Sequence, residues 1–277
     1  MYNIEKALDV LISHKIISDK QYWINNHIKL KHTDELIVKI ADYIEPYKEV
    51  EQEIKEIKKV YYTETPNGTR QIFLPPEKLH IDIFDKLTKN NSFTKYKYAV
   101  NGVFFGGTTF ATSILMRNGD YMGKCRWTSN YGKPQSCLII NKDNTVWMTK
   151  LNNITDLGNK LYSAKHIIGG IGLLNETDPD FKYNPSSEGF TGSILAGLER
   201  ACNKTAIGYI AKTNQIVLLT RPNIHHTNGY SLFQLAKDCE LTYCVSLDGS
   251  GSTFCIADGK YMLKGDNRGI YTALYAE

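Results

Sequence analysis

The sequence predicts an α+β protein: a mostly antiparallel sheet body with few helices, preceded by a small three-helix module. Three observations predict it. Apolar residues recur at helical spacing through the first 45 residues, whereas after about residue 60 they alternate with a period of two. Clusters of Asn, Asp and Gly punctuate this second part at short intervals. Strands and helices do not alternate there, which disfavours a parallel doubly wound sheet.

The helices come first. Ile4, Ala7, Leu8, Leu11 and Ile12 fall on one helical face, and Asn3 can cap it. Ser18 with Gln21 makes a capping box, and Ile17 with Tyr22 sits at staple spacing, which predicts a second short helix. Thr33 caps a third, with Asp34 and Glu35 in its first turn. The apolar face of that helix is Ile37, Ile40, Ala41 and Ile44, and Pro46 marks its end or a break. Residues 1–48 are therefore read as the helical module and the charged residues 49–60 as a helix or linker. Residues 61–277 form the body.

The body reads as hairpins. Val60–Thr65 and Gln71–Leu74 flank Pro66-Asn67-Gly68, and Ile114–Arg117 and Tyr121–Lys124 flank Asn118-Gly119-Asp120. Cys137–Ile140 and Thr145–Thr149 flank Lys142-Asp143-Asn144. Ala206–Ala211 and Ile216–Thr220 flank Lys212-Thr213-Asn214, and Cys255–Ala257 and Lys260–Leu263 flank Asp258-Gly259. One helix interrupts them: Ser231 and Gln234 form a capping box, and Leu232, Leu235 and Ala236 an apolar face.

Composition removes several classes. Of 277 residues 42% are hydrophobic and 22% charged, which excludes a disordered chain, collagen and a coiled coil. The net charge of +4 is too small to argue for nucleic acid. It divides into −1 over residues 1–60 and +5 over the remainder, so the positive excess lies in the body. Tyr98–Met116 lacks charge for 19 residues, but Asn101, three Thr and several Gly make it too polar for a membrane span. The start, Met1-Tyr2-Asn3-Ile4-Glu5, lacks the features of a signal peptide. Six cysteines show no paired zinc spacing and read as buried thiols.

Four segments are candidates for chemistry. In Leu247-Asp248-Gly249-Ser250-Gly251-Ser252-Thr253 an apolar strand ends in an acid and then small residues. That suits a carboxylate facing a cleft beside backbone N–H groups, and it equally suits an Asp–Gly turn. Asn101-Gly102-Val103-Phe104-Phe105-Gly106-Gly107 suits a sugar-ring wall or a packed core. Ile167-Ile168-Gly169-Gly170-Ile171-Gly172 could cradle a phosphate but lacks the dinucleotide fingerprint. Lys204-Thr205 place a cation and a hydroxyl at the start of a strand. His225-His226, being adjacent, point apart in a strand, and no zinc motif surrounds them.

Taken in order, these segments resemble the phosphodiester glycosidase family. Asn101–Phe105 is similar to its Asn-Gly-Gly-Phe-Phe-like segment and Ile168–Ile171 to its Ile-Gly-Gly-Gly-like segment. Lys204–Gly208 is similar to its Arg-Thr-Ala-Ile-Gly. Gly229–Leu232, Leu247–Ser252, and Arg268 ahead of Ile270–Tyr275 complete a set covering roughly residues 95–277. Val103 and Ser250 stand where the family has Gly, and Lys204 where it has Arg. The Lys keeps the charge but loses the two-pronged fork. The resemblance implies hydrolysis of a sugar-1-phosphodiester, of the N-acetylglucosamine type, without a cofactor or metal. It implies Asp248, Lys204, Thr205 and Asn101 as catalytic groups. Gly102, Phe104, Gly169, Gly170, Gly249, Ser250, Gly251, Ser252 and Arg268 would then meet an anionic sugar-phosphate substrate. Glu188 and Glu199 are the candidates for a second carboxylate. Residues 1–48 resemble a small module of bacterial and phage cell-wall amidases, which implies a bacterial or phage setting, in the virion or cytoplasm, and possible contact with the cell wall. Two other readings stay open: a non-catalytic protein that sequesters a phosphodiester or nucleotide-like ligand, and a structural tail or wall-binding protein.

Overall fold

The computed structural model describes residues 8, 9, 11, 12, 40 and 59–277, apart from 94, 107–109, 121–131, 189, 191–199 and 224–228. The chain divides into two compact units, Met1–Lys58 and Lys59–Glu277. In the second unit the strands are β1 (Tyr61–Glu64), β2 (Arg70–Leu74), β3 (His80–Lys89), β4 (Tyr98–Asn101), β5 (Phe105–Gly106), β6 (Phe110–Ala111), β7 (Leu115–Met116), β8 (Gln135–Asn141), β9 (Val146–Leu151), β10 (Ala164–Asn175), β11 (Lys204–Ile210) and β12 (Gln215–Arg221). Helix α1 (Gly229–Asp238) precedes β13 (Tyr243–Ser246), β14 (Cys255–Ala257), β15 (Lys260–Leu263) and β16 (Gly269–Ala276).

One sheet has the order β1-β2-β12-β11-β13-β10-β8-β9, with β7 also pairing β10, and the second has the order β15-β14-β4-β16-β3. Pairing within both is antiparallel. Alternation places the side chains. Tyr98 and Val100 of β4 enter the core shared by the two sheets, where they join Leu218, Ile207, Val245 and Leu274. Ala99 turns to the opposite face, among Phe93, Tyr96 and Phe254. Leu232, Leu235 and Ala236 of α1 cover Ala206, Leu219 and Cys244 of the larger sheet, the face their spacing predicts.

The turns do what their residues require. Asn144, Asn214 and Asp258 adopt positive φ (68°, 51° and 48°), a conformation that Asn and Asp tolerate better than most residues. Asp258 and Gly259 (φ 73°) together close a two-residue hairpin between β14 and β15. Tyr121–Lys124, His225-His226 and Cys125 lie outside the described residues. The other five cysteines are free thiols, four of them buried. Among the described residues no helix is long and apolar enough to cross a membrane.

The α+β expectation is corrected. The described chain is mostly antiparallel β, and α1 is its one α-helix of packing length. Elsewhere the backbone is satisfied by strand ladders and short 3₁₀ turns such as Pro185–Glu188 and Ser250–Ser252, so helices supply no second layer. The three-helix module over 1–48 lies outside the described residues, apart from Leu8, Asp9, Leu11, Ile12 and Ile40.

Candidate functional site

Central strands bring three of the candidate residues together. β13 pairs with β10 on one side and β11 on the other, so the chain leaves the middle of the large sheet at Leu247. The Leu247 N–H donates to the Thr205 carbonyl (2.9 Å) and the Asp248 N–H to the Gly102 carbonyl (3.3 Å). Asn101, buried at the end of β4, donates from Nδ2 to the Asp248 carbonyl at 2.7 Å. Its Oδ1 accepts from the Thr205 hydroxyl at 2.6 Å. Asn101 and Thr205 thus hold the loop in place. Their printed hydrogen bonds go to protein groups.

Asp248 is the half-buried group at the loop's mouth. Burial pushes its carboxyl up from the ordinary 3.8 to about 6. The Ser252 hydroxyl, the Gly249 N–H and the Arg268 cation oppose that rise, and burial outweighs them. The Gly249 N–H donates to Oδ1 at 3.0 Å. The fully buried Ser252 hydroxyl influences the carboxylate without making a hydrogen bond of ordinary geometry. A carboxyl titrating near 6 is available in both protonation states near neutral pH, as acid–base or nucleophilic work requires.

The loop beyond it is internally bonded. Ser250, at φ 60°, donates its N–H to the Asn203 carbonyl at 2.7 Å. The Ser252 N–H donates to the Gly249 carbonyl at 3.2 Å. The Gly249, Ser250 and Ser252 N–H groups are thus committed within the protein. Only the Ser252 bond belongs to the 3₁₀ turn; Gly249 donates to the Asp248 side chain and Ser250 to the Asn203 carbonyl.

A different cation faces this loop. Arg268 donates from Nε to Asp266 Oδ1 (3.0 Å) and from Nη2 to Oδ2 (2.8 Å), a two-pronged fork. The Asp266 N–H in turn donates to the Gly251 carbonyl at 3.2 Å. A Cβ on Gly251 would collide with both members of the fork, so glycine lets it lie against the loop. Gly251→Ala is expected to displace Arg268 and to move the NMR titration profile of the Asp248 carboxyl upward as it loses its cation. A profile that does not move would remove Arg268 from the site. Buried Asn90 completes the arrangement, donating from Nδ2 to the Gly251 carbonyl (2.7 Å) and accepting the Asn267 N–H on Oδ1 (3.1 Å).

Other candidates sit elsewhere or face away. Lys204 is buried, its Nζ donating to the Arg200 carbonyl (3.0 Å) and the Cys202 sulfur (2.9 Å), and burial lowers its pKa. Gly169 and Gly170 lie inside β10 rather than in a phosphate loop. The Gly169 N–H donates to the Ile114 carbonyl at 2.7 Å, and a Cβ on Gly170 would strike the Ser246 carbonyl. Gly102 backs onto Thr272, whose hydroxyl accepts the Val103 N–H at 3.0 Å. Phe104 is core, tilted against Phe190 at 5.5 Å. Glu188 is fully buried and accepts from the Ser136 N–H and hydroxyl, both at 2.8 Å. Glu199 lies outside the described residues. Asp266, Asn90 and Thr272 escaped sequence reasoning; the turn-forming Gly265-Asp266-Asn267 just before Arg268 was the one local signal. Among the described residues no group of three or more His, Cys, Asp or Glu side chains is placed to hold a metal ion.

No protein-family profile and no curated protein sequence matches the chain. Solved structures do. The catalytic domain of zebrafish N-acetylglucosamine-1-phosphodiester alpha-N-acetylglucosaminidase, auto-inhibited by its pro-peptide, superposes with a TM-score of 0.55 at 15% identity. The match covers 79% of this chain and 81% of that one. A protein of Burkholderia pseudomallei K96243, named as exported, gives 0.53 at 11% identity over 75% of this chain and 73% of its own. At these identities the likeness establishes a shared fold.

Proposed function

We propose that the protein is a glycosidase that hydrolyses a sugar-1-phosphodiester bond, with N-acetylglucosamine as the type of sugar. The observation that carries this is Asp248: a carboxyl raised to about 6 at the mouth of the central strands, with the Arg268 cation facing it. The fold-level likeness to an N-acetylglucosamine-1-phosphodiester glycosidase domain supports the substrate class.

The chemistry asks little of the protein beyond these groups. Breaking the C1–O bond releases a phosphate ester, already a good leaving group near neutral pH. A strong general acid is therefore less needed than in an ordinary glycosidase, whereas the oxocarbenium-like centre still needs a nearby negative charge and a nucleophile or base. Asp248 supplies the carboxylate. Arg268, held by Asp266, takes the phosphate as charge collects on it. The buried ammonium of Lys204 adds positive potential behind the loop.

The test is incubation of the full chain with an N-acetylglucosamine phosphodiester or UDP-N-acetylglucosamine, followed by assay of free sugar. Release is expected. No release from any such donor at high enzyme concentration would sink the reading. The capture reading, binding without turnover, draws on the inward-facing Lys204 and the internally bonded loop. It predicts stoichiometric binding by calorimetry with the ligand recovered unchanged.

A further inference from the structure

We propose that a crevice beside α1, at the far end of β10, is a second binding site that takes an anionic glycan and holds the chain of a polymeric substrate. The role of substrate holder rests on the hydrolytic reading of Asp248; binding of the glycan does not. Two surface cavities, of about 480 and 350 Å³, adjoin at Asn175 and Phe181, which line both, and are taken together as the crevice. Together they reach the size of a ligand cleft, roughly 300–1,000 Å³.

Its walls suit sugar rings. Tyr183 and Phe233 stack with centroids 5.6 Å apart and planes at 13°, and Phe181 stands between the two cavities. Phe233 is already stacked by Tyr183 and covered by Lys237, so it backs the wall, and Tyr183 and Phe181 are the rings placed to meet the apolar C–H faces of a pyranose. Three cations line the same space. Lys237 lies over Phe233 at 4.7 Å, Lys150 over Phe181 at 5.7 Å, and Lys182 sits between the aromatic positions in sequence. Among the described residues the one acid on the lining is Asp178. The buried carboxylate beneath, Glu188, is already shared by Ser136 and Lys150. The balance is positive, and point-charge ammonium groups suit phosphate rather than a neutral glycan.

Position links the crevice to the loop. Asn175 pairs with Tyr243, and Asp248 follows five residues along the chain from Tyr243. At 3.3–3.4 Å per residue the two lie within about 17 Å of each other. A single sugar phosphodiester cannot reach both, whereas a short run of a sugar-bearing phosphate polymer can. The proposal therefore predicts a difference between polymeric and small substrates.

The test uses the full chain carrying Asp248→Asn, so that ligands survive, with and without Lys182→Glu and Lys237→Glu. The probes are an N-acetylglucosamine-substituted glycerol-phosphate oligomer, an uncharged N-acetylglucosamine oligomer, and a small N-acetylglucosamine-1-phosphodiester. Charge reversal is expected to weaken the phosphate oligomer at least tenfold and leave the small ligand within twofold, with unchanged melting. Phe233→Tyr keeps the ring and should bind the oligomer like the parent. Equal oligomer affinity in parent and charge-reversed protein would overturn the site, as would equal affinity for the uncharged oligomer. Charge-sensitive oligomer binding in a protein that releases no sugar would keep the site and discard the hydrolytic reading.

Discussion

Asp248→Asn is expected to lower sugar release by roughly 10²–10⁴-fold, the range for losing one positioned carboxyl, while the protein becomes more stable at neutral pH. The activity loss follows from the isosteric exchange: Asn keeps an acceptor for the Gly249 N–H but carries no charge for the developing oxocarbenium centre. With the parent, the rate should rise as Asp248 ionises through about pH 6 and then level off. The stability gain follows from linkage. The carboxyl titrates near 3.8 when unfolded and about 6 when folded. Between those values the native state binds more protons, so its stability falls as pH rises through that window. Above pH 6 the whole penalty is present, about 3 kcal/mol at most for a shift of that size, and less where solvent reaches the half-buried group. Melting of parent and variant at pH 3.5 and pH 7.5 checks this. The variant should melt higher at pH 7.5 only, and equal melting at both would mean that burial does not strain Asp248.

The hairpins could be read from the sequence because a turn is a local event. Asn144, Asn214 and Asp258-Gly259 carry their own preference for positive φ, and each fell between two alternating segments. The face of α1 was readable for the same reason, as was the acid that ends an apolar strand at Asp248. What failed is directional or distant. Gly169 and Gly170 look like a loop in one dimension, but they are strand residues thinned to let the Ile114 and Ser246 backbones approach. A lysine at 204 announces a charge and says nothing of where the ammonium points; the Arg200 carbonyl and Cys202 sulfur capture it. Asn90 reaches the Gly251 carbonyl across 161 positions of sequence, a span that no local pattern encodes. Helical spacing in residues 1–45 suggests an α+β class, whereas the body closes its backbone almost wholly by strand ladders.

Glu188 should matter to the sheet rather than to turnover. Glu188→Ala is expected to cost roughly 2–6 kcal/mol, because it leaves two buried N–H groups without an acceptor. Oε2 accepts the Ser136 N–H (2.8 Å) and the Gly172 N–H (3.2 Å), and Oε1 accepts the Ser136 hydroxyl and lies 3.7 Å from Lys150 Nζ. Removing the side chain orphans two N–H groups inside the large sheet, at about 1–3 kcal/mol each. Burial raises the Glu188 carboxyl above its ordinary range against the pull of Ser136, Lys150 and Gly172, so its own contribution to stability declines as pH climbs past that range. Glu188→Gln preserves shape and one acceptor and should lower the urea midpoint less than Ala. Because Glu188 binds the sheet rather than facing the Asp248 loop, kcat/KM of the folded Gln variant should stay within a few-fold of the parent. The pair of variants separates the two roles: Asp248→Asn loses turnover, whereas Glu188→Gln keeps it. A Glu188→Gln protein with an unchanged urea midpoint and a thousandfold lower kcat would reverse that assignment and make Glu188 the second carboxylate of the reaction.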